Sequence, residues 1–414
     1  MTEGAMTKER VKWTLAAIVG GVFLLCSVIA FIFPIIIGSD GKTFLEWGHE
    51  MVDHGIPSFY ALSRNTDYPP ITLLIIYAVV WFSRLVHAPV LLEYYFLDII
   101  PILSICAGVV LFYLLARHFG LKERLSLWLA GAYGFMPALL LNVAIIQFDT
   151  TLAMFVLLAL WLYVKERYLS VIIVSGVATL TKLHFAYFIF PLLFVAVCYQ
   201  MFKRHRIGRL CLFCGIVGVV GLGLYAPFVI NEFARGNYFY LFDAISRPLL
   251  KRNIFSMNAF NTLFITSLTT FQKDTFIPSW YPFVNFVIFF MIISATIYLF
   301  FKNPSDKNML MLTAFNNLAL YMITTSMYDR YLIPVLAALL LAGYVYNSRK
   351  IKFVAYYFYI VVPINIVLRS LNLQASTMWY YVVVGSVFGV MSTIVFFYLV
   401  HTIVSMAFVK GGEK

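Results

Sequence analysis

Long apolar runs separated by short polar turns set the rhythm of the chain. The first, Trp13 to Ile37, is long enough to cross a bilayer, which takes about 20 apolar residues. Runs near 96–116, 124–141, 149–165, 169–182, 184–202, 208–230, 276–301, 309–326, 331–347, 351–370 and 378–402 read as further spans. One stretch departs from this rhythm. Between Thr43 and Ile56, Phe44, Leu45, Gly48, Met51, Val52, Gly55 and Ile56 share one helical stripe, while Lys42, Glu46, His49, Glu50, Asp53 and His54 fall on the other. Such a helix lies in the membrane interface, apolar side down. Asp40 is thereby held between the end of the first span and an interfacial helix. Ile71 to Val86 is also apolar, but Pro69-Pro70 precede it and His87 and Pro89 follow. It reads as interfacial or re-entrant.

Composition supports the same class: 62% of the 414 residues are hydrophobic and 12% are charged, against roughly 25% charge in a soluble domain. The expected fold is an all-α polytopic membrane protein, a helical bundle with about 12 transmembrane helices and interfacial helices in the first outer loop. Aromatic residues, 18% of the chain, suit lipid-facing helices with interfacial belts. The net charge of +12 reports loops facing the cytoplasm, and no nucleic-acid partner is expected. Lys8/Arg10/Lys12, Arg117/Lys122/Arg124, Lys165/Arg167, Lys203/Arg204/Arg206/Arg209, Lys302/Lys307, Arg349/Lys350/Lys352 and Lys410/Lys414 fall on one side only if Ile71 to Val86 does not cross. By the positive-inside rule that side is cytoplasmic, and both termini lie there. The first run is long for a signal peptide and has no cleavage site behind it, so it is expected to anchor.

Four polar stretches then converge on the outer face: 38–70, Asn142 to Asp149, the Lys182-Leu183-His184 corner and the loop Asn231 to Tyr281. Tyr328-Asp329-Arg330 joins them. Ionisable groups at membrane depth cost a few kcal/mol each and are functional candidates for that reason. Asp40, Asp67 and Asp149 end apolar segments; helix capping and loop solubility are the plain alternative for each, and Asp149 suits the first turn of a helix. All three share the expected outer face with Lys182, Arg235 and Arg330. A carboxylate opposed to fixed cations can deprotonate a hydroxyl while a departing phosphate is stabilised. Arg247, Lys251 and Arg252 add cations to the same outer loop as Arg235.

His49, Glu50, Asp53 and His54 have metal-ligand types at helical spacing, but a solvated helix face explains them more simply. Cys211 and Cys214 form a CxxC without a second pair, which points to small core residues. No Walker loop, dinucleotide fingerprint, nucleophile elbow or HExxH occurs, so ATP hydrolysis, hydride transfer and zinc proteolysis have no support.

Taken in order, these stretches resemble the GT-C superfamily of membrane glycosyltransferases, most of all the dolichyl-phosphoglucose-dependent glucosyltransferases of N-glycan assembly and their bacterial relatives. The matching pieces are Ser39-Asp40 with Phe44 and Trp47-Gly48-His49-Glu50, Asp67-Tyr68-Pro69-Pro70, Gln147-Phe148-Asp149, and Thr181-Lys182-Leu183-His184 through Tyr187 to Pro191. Phe233-Ala234-Arg235-Gly236, Ser256-Met257-Asn258-Ala259-Phe260-Asn261 and Met327-Tyr328-Asp329-Arg330-Tyr331 with Pro334 complete the set. The resemblance implies a single membrane domain over 1–414, with a catalytic module at 13–230, an outer loop at 231–281 and variable helices at 282–414.

It further implies a polyprenyl-phosphate-linked sugar donor, a glycan, glycolipid or cell-wall acceptor, and an active site on the non-cytoplasmic face. Asp40 matches the catalytic carboxylate, Lys182 and Arg330 match positions tied to the donor phosphate, and Arg235 is a third candidate cation. Asp67, Tyr68, Gln147, Asp149, His184, Asn258, Tyr328 and Asp329 are expected in support. Tyr328 departs from the family, which commonly carries His there; a Tyr donates a hydrogen bond but holds no cation. The expected reaction is inverting glycosyl transfer without a cofactor and with no metal required, in an integral plasma membrane protein. A lipid-linked saccharide flippase or transporter, or a polysaccharide polymerase or ligase, would also need intramembrane cations and a cavity. A transporter should show inverted-repeat halves, which the chain lacks.

Overall fold

The computed structural model describes residues 6–32, 39–62, 66, 68–242, 254–270, 277–370 and 378–409. The first helix, α1 (Lys8–Ile32), leads to the amphipathic α2 (Ser39–His54), the short α3 (Phe59–Leu62) and α4 (Pro70–Leu85). There follow α5 (Val90–His118), α6 (Glu123–Gly134), α7 (Pro137–Ala144), α8 (Asp149–Val164), α9 (Tyr168–Thr181), α10 (His184–Phe188), α11 (Phe190–Lys203) and α12 (Ile207–Ala234). A two-residue strand β1 (Ser256–Met257) and α13 (Ser267–Thr270) precede α14 (Tyr281–Lys302) and α15 (Asp306–Ile323). The chain ends with β2 (Met327–Tyr328), α16 (Ile333–Val345), α17 (Arg349–Ser370) and α18 (Met378–Val409).

Every expected span falls on a helix or on two consecutive ones, apart from 33–37 and 276, which lie outside the described residues. Among the described residues, seven segments are long and apolar enough to cross a membrane by length and composition. The span expected at 124–141 is two helices, α6 and α7, because Pro137 starts a new helix after Met136 adopts an extended backbone. That at 184–202 breaks at Ile189, before Pro191, into α10 and α11.

The short helices carry the functional information. With 16, 14 and 13 residues in α8, α9 and α16, at 1.5 Å per residue they reach only about 20–24 Å, less than the roughly 30 Å hydrocarbon core. Their shortened ends are where Asp149, Lys182 and Arg330 sit. At the opposite end, Arg204 pairs with Glu166 at 2.8 Å and His118 approaches Asp306 at 3.6 Å. These contacts join the α5–α6, α8–α9, α11–α12 and α14–α15 turns, so the basic clusters gather away from the charged site.

The α2–α4 layer lies at the site end. Ser104 on α5 is level with Thr151 on α8, their hydroxyls 3.1 Å apart. The 14 residues of α5 before Ser104 therefore extend about 21 Å past Thr151, which lies in the first turn of α8. Glu93, in that extension, meets His49 of α2 at 3.2 Å. Arg84 at the far end of α4 grips Asp53 of α2 at 2.9 Å, so α4 runs back along α2. Gly48 permits this approach, since a Cβ there would fall 2.3 Å from Val80. Phe44, Leu45 and Met51 of the expected apolar stripe are buried.

Candidate active site

Three shortened helices and the start of α2 deliver one connected ionic cluster. Asp40 lies in the first turn of α2. Its Oδ2 accepts a 2.6 Å hydrogen bond from the Gln147 amide and a 3.3 Å contact from Arg330 Nη2. Its Oδ1 has no hydrogen-bond partner among the described residues, and the side chain is 33% exposed. Gln147 is set by Tyr68, whose hydroxyl donates to Oε1 at 3.1 Å. Pro69 and Pro70 fix the backbone that follows Tyr68 and start α4. Thr72, one turn into α4, donates 2.6 Å to the carbonyl of Thr181. That bond pins the end of α9, where Lys182 turns extended and leaves the helix.

Lys182 Nζ donates to Asp149 Oδ1 at 2.7 Å, with both side chains sealed from solvent. Arg330 Nε lies 3.3 Å from the other Asp149 oxygen, and Arg330 Nη1 lies 3.7 Å from Asp329. One guanidinium thus sits among three carboxylates. Burial acts to lower its pKa, but Asp40, Asp329 and Asp149 together raise it above the ordinary arginine value. Burial raises the Asp329 carboxyl, against the opposing pull of Arg369 and Arg330. Arg369, at the end of α17, donates to Asp329 at 3.2 Å. Three carboxylates and three cations therefore balance.

No protein-family model matches the chain, and no curated protein matches it either. Among solved structures, the crystal structure of ArnT from Cupriavidus metallidurans bound to undecaprenyl phosphate superposes with a TM-score of 0.50 at 14% identity, over 95% of this chain and 77% of that one. The apo state of the same protein gives 0.49 at 15% identity, over 92% of this chain and 76% of that one. The chain has the GT-C fold.

A GT-C fold makes it a helical polytopic integral membrane protein, with the cluster at one end of the bundle. Irregular backbone at such depth needs internal partners. Here β1 and β2 supply them as a parallel pair, with Ser256 opposite Met327 and Met257 opposite Tyr328. Asn258 bridges to Tyr328 and accepts a 3.2 Å bond from the Tyr381 hydroxyl. Asn258 holds a left-handed φ of 66°, a conformation Asn tolerates well. Arg330 stacks 4.7 Å from the Tyr328 ring. His184 packs on Tyr331 at 3.8 Å between ring centroids. With Asp149 and Asn317 these two rings line a small pocket beside the ion pairs.

Arg235 does not join the cluster. It ends α12 and pairs with Glu232 at 2.7 Å, 70% exposed. Asp67, Arg247, Lys251 and Arg252 lie outside the described residues. Among the described residues no three His, Cys, Asp or Glu side chains are grouped to hold a metal. His49 instead contacts Glu93 and, at 3.0 Å, Arg84. The sequence offered no sign of Arg369, which closes an apolar span where a C-terminal basic residue is ordinary.

Proposed function

We propose that this protein is an inverting glycosyltransferase that moves a sugar from a polyprenyl-phosphate donor to a hydroxyl acceptor, on the non-cytoplasmic face of the plasma membrane. One observation carries the reading: Asp40 is anchored through Oδ2, while Oδ1 has no partner among the described residues, directly against an arginine that an anionic leaving group could share. The acceptor O–H gives its proton to Asp40 Oδ1 as its oxygen bonds to the anomeric carbon. The bond from that carbon to the phosphate oxygen breaks, and its electron pair leaves with the lipid phosphate. One negative charge thereby passes from Asp40 to the phosphate, and Arg330 touches the site of its departure. Fixed cations in a low-dielectric recess stabilise such a charge shift without reorganising.

Lys182 was expected on the phosphate. Its 2.7 Å pair with buried Asp149 favours a counter-ion role that leaves Arg330 able to serve Asp40 and the donor. The GT-C fold, and the undecaprenyl phosphate named in the ArnT crystal structure, support a polyprenyl-phosphate donor. The basic turns at the opposite end support a non-cytoplasmic site by charge bias. Purified protein incubated with a radiolabelled sugar on polyprenyl phosphate and candidate acceptors tests this. Label in a product of inverted anomeric configuration supports it. Label that crosses a vesicle bilayer with its lipid bond intact would identify a flippase instead.

A further inference from the structure

Of the three cations in the cluster, the two expected from sequence are the least accessible. The Lys182 and Arg330 side chains are 6% and 7% exposed. Arg369 is 27% exposed, so with Asp40 at 33% it forms the open edge of an otherwise sealed network. One of its nitrogens, Nη1, is held by Asp329 at 3.2 Å. Asp329 itself is fully buried and stands 3.7 Å from Arg330, so one carboxylate anchors both guanidinium groups. The Tyr328 ring faces both as well, 4.7 Å from Arg330 and 5.8 Å from Arg369. A planar guanidinium fixed at one nitrogen and stacked on an aromatic face keeps its other donors oriented for a two-pronged bond to phosphate.

We propose that Arg369 binds the phosphate of the polyprenyl donor directly, with Tyr328 and Asp329 orienting it, while buried Lys182 serves the same site only through Asp149. The inference rests on the glycosyltransferase reading and names a residue for that site. It gives Tyr328 a role of its own: the ring carries no charge but holds two charges in place. It also places the phosphate next to Arg330, so the donor approaches from the accessible edge and engages the buried guanidinium last.

The test is equilibrium binding of farnesyl phosphate, with uncharged farnesol as control, to the full-length protein in detergent micelles. Wild type should bind the phosphate and not the alcohol. Arg369→Gln should weaken phosphate binding roughly 10- to 100-fold, the loss of a charge-assisted bond. Arg369→Lys should recover part of it, since charge returns without the fork. Because Arg369→Gln also removes a partner of Asp329, the double variant Arg369→Gln/Asp329→Asn separates binding from support. Weak binding that persists in the double variant upholds the proposal. Binding restored in the double variant, or unchanged in Arg369→Gln, overturns it. Wild type that binds neither compound would overturn the donor reading itself.

Discussion

Replacing Lys182 with Met keeps an unbranched side chain one atom shorter and removes its charge. Asp149 is 1% exposed, and its Oδ1 loses a 2.7 Å partner, leaving Arg330, 3.3 Å from Oδ2, among the described residues. Breaking one side of a buried ion pair costs about 3–5 kcal/mol, because a charge is stranded out of water. Arg330 offsets part of that, so Lys182→Met should cost about 3 kcal/mol, the low end of the range. Arg330 is drawn towards Asp149 at the same time, and donor-phosphate binding should fall roughly tenfold for each 1.4 kcal/mol lost at that contact. The variant and wild type are compared by unfolding in detergent and by farnesyl phosphate binding. Lys182→Met/Asp149→Asn should regain most of the stability, because the second change removes the stranded charge. A single variant as stable as wild type would show that the pair is not made. A double variant no better than the single one would show that stranded charge is not the cause.

Asp329 has a carboxyl raised by burial, which sets a sign. A raised folded pKa gives stability that is present below the unfolded value near 3.8 and is lost as pH rises through the folded value. Asp329→Asn should therefore flatten the pH dependence of unfolding above about pH 4; an unchanged profile would contradict the burial argument. Topology is checked on a background free of the native cysteines. His87→Cys, in the turn beside α4, should react with an impermeant thiol reagent from outside, and Lys350→Cys should react only after permeabilisation. Reversed labelling would put the site in the cytoplasm.

The helical architecture was legible because the length of each apolar run is written along the chain. Within the described residues the twelve expected spans fall on helices, and the Pro-flanked 71–86 segment is a helix packed along α2. Where a helix breaks inside a span was harder to see: Pro137 and Pro191 open new helices, yet Pro101 and Pro227 lie within unbroken ones. Asp40, Gln147, Asp149, Lys182 and Arg330 were each visible as polar residues at the ends of apolar runs. Their pairing was not, because it depends on where each short helix ends relative to its neighbours in the bundle. Arg235 looked the same in sequence, but the end of α12 leaves it on an exposed turn with Glu232. Arg369 and Glu93 went unseen for the opposite reason: each sits near a helix end, where one charge among apolar residues is unremarkable until a distant partner is placed beside it. The cluster also draws Arg330 and Arg369 from beyond residue 281, so its cations come from both halves of the chain.

The central claim is that Asp40 takes the acceptor proton, and turnover of Asp40→Asn measures it most directly. Asn keeps the shape and the hydrogen-bonding reach towards Gln147 but cannot accept the proton. With a polyprenyl-phosphate sugar and its acceptor, kcat should fall by at least about 100-fold, while farnesyl phosphate binding stays within a few-fold of wild type. An Asp40→Asn protein that turns over at the wild-type rate would contradict the account and remove Asp40 from the chemistry.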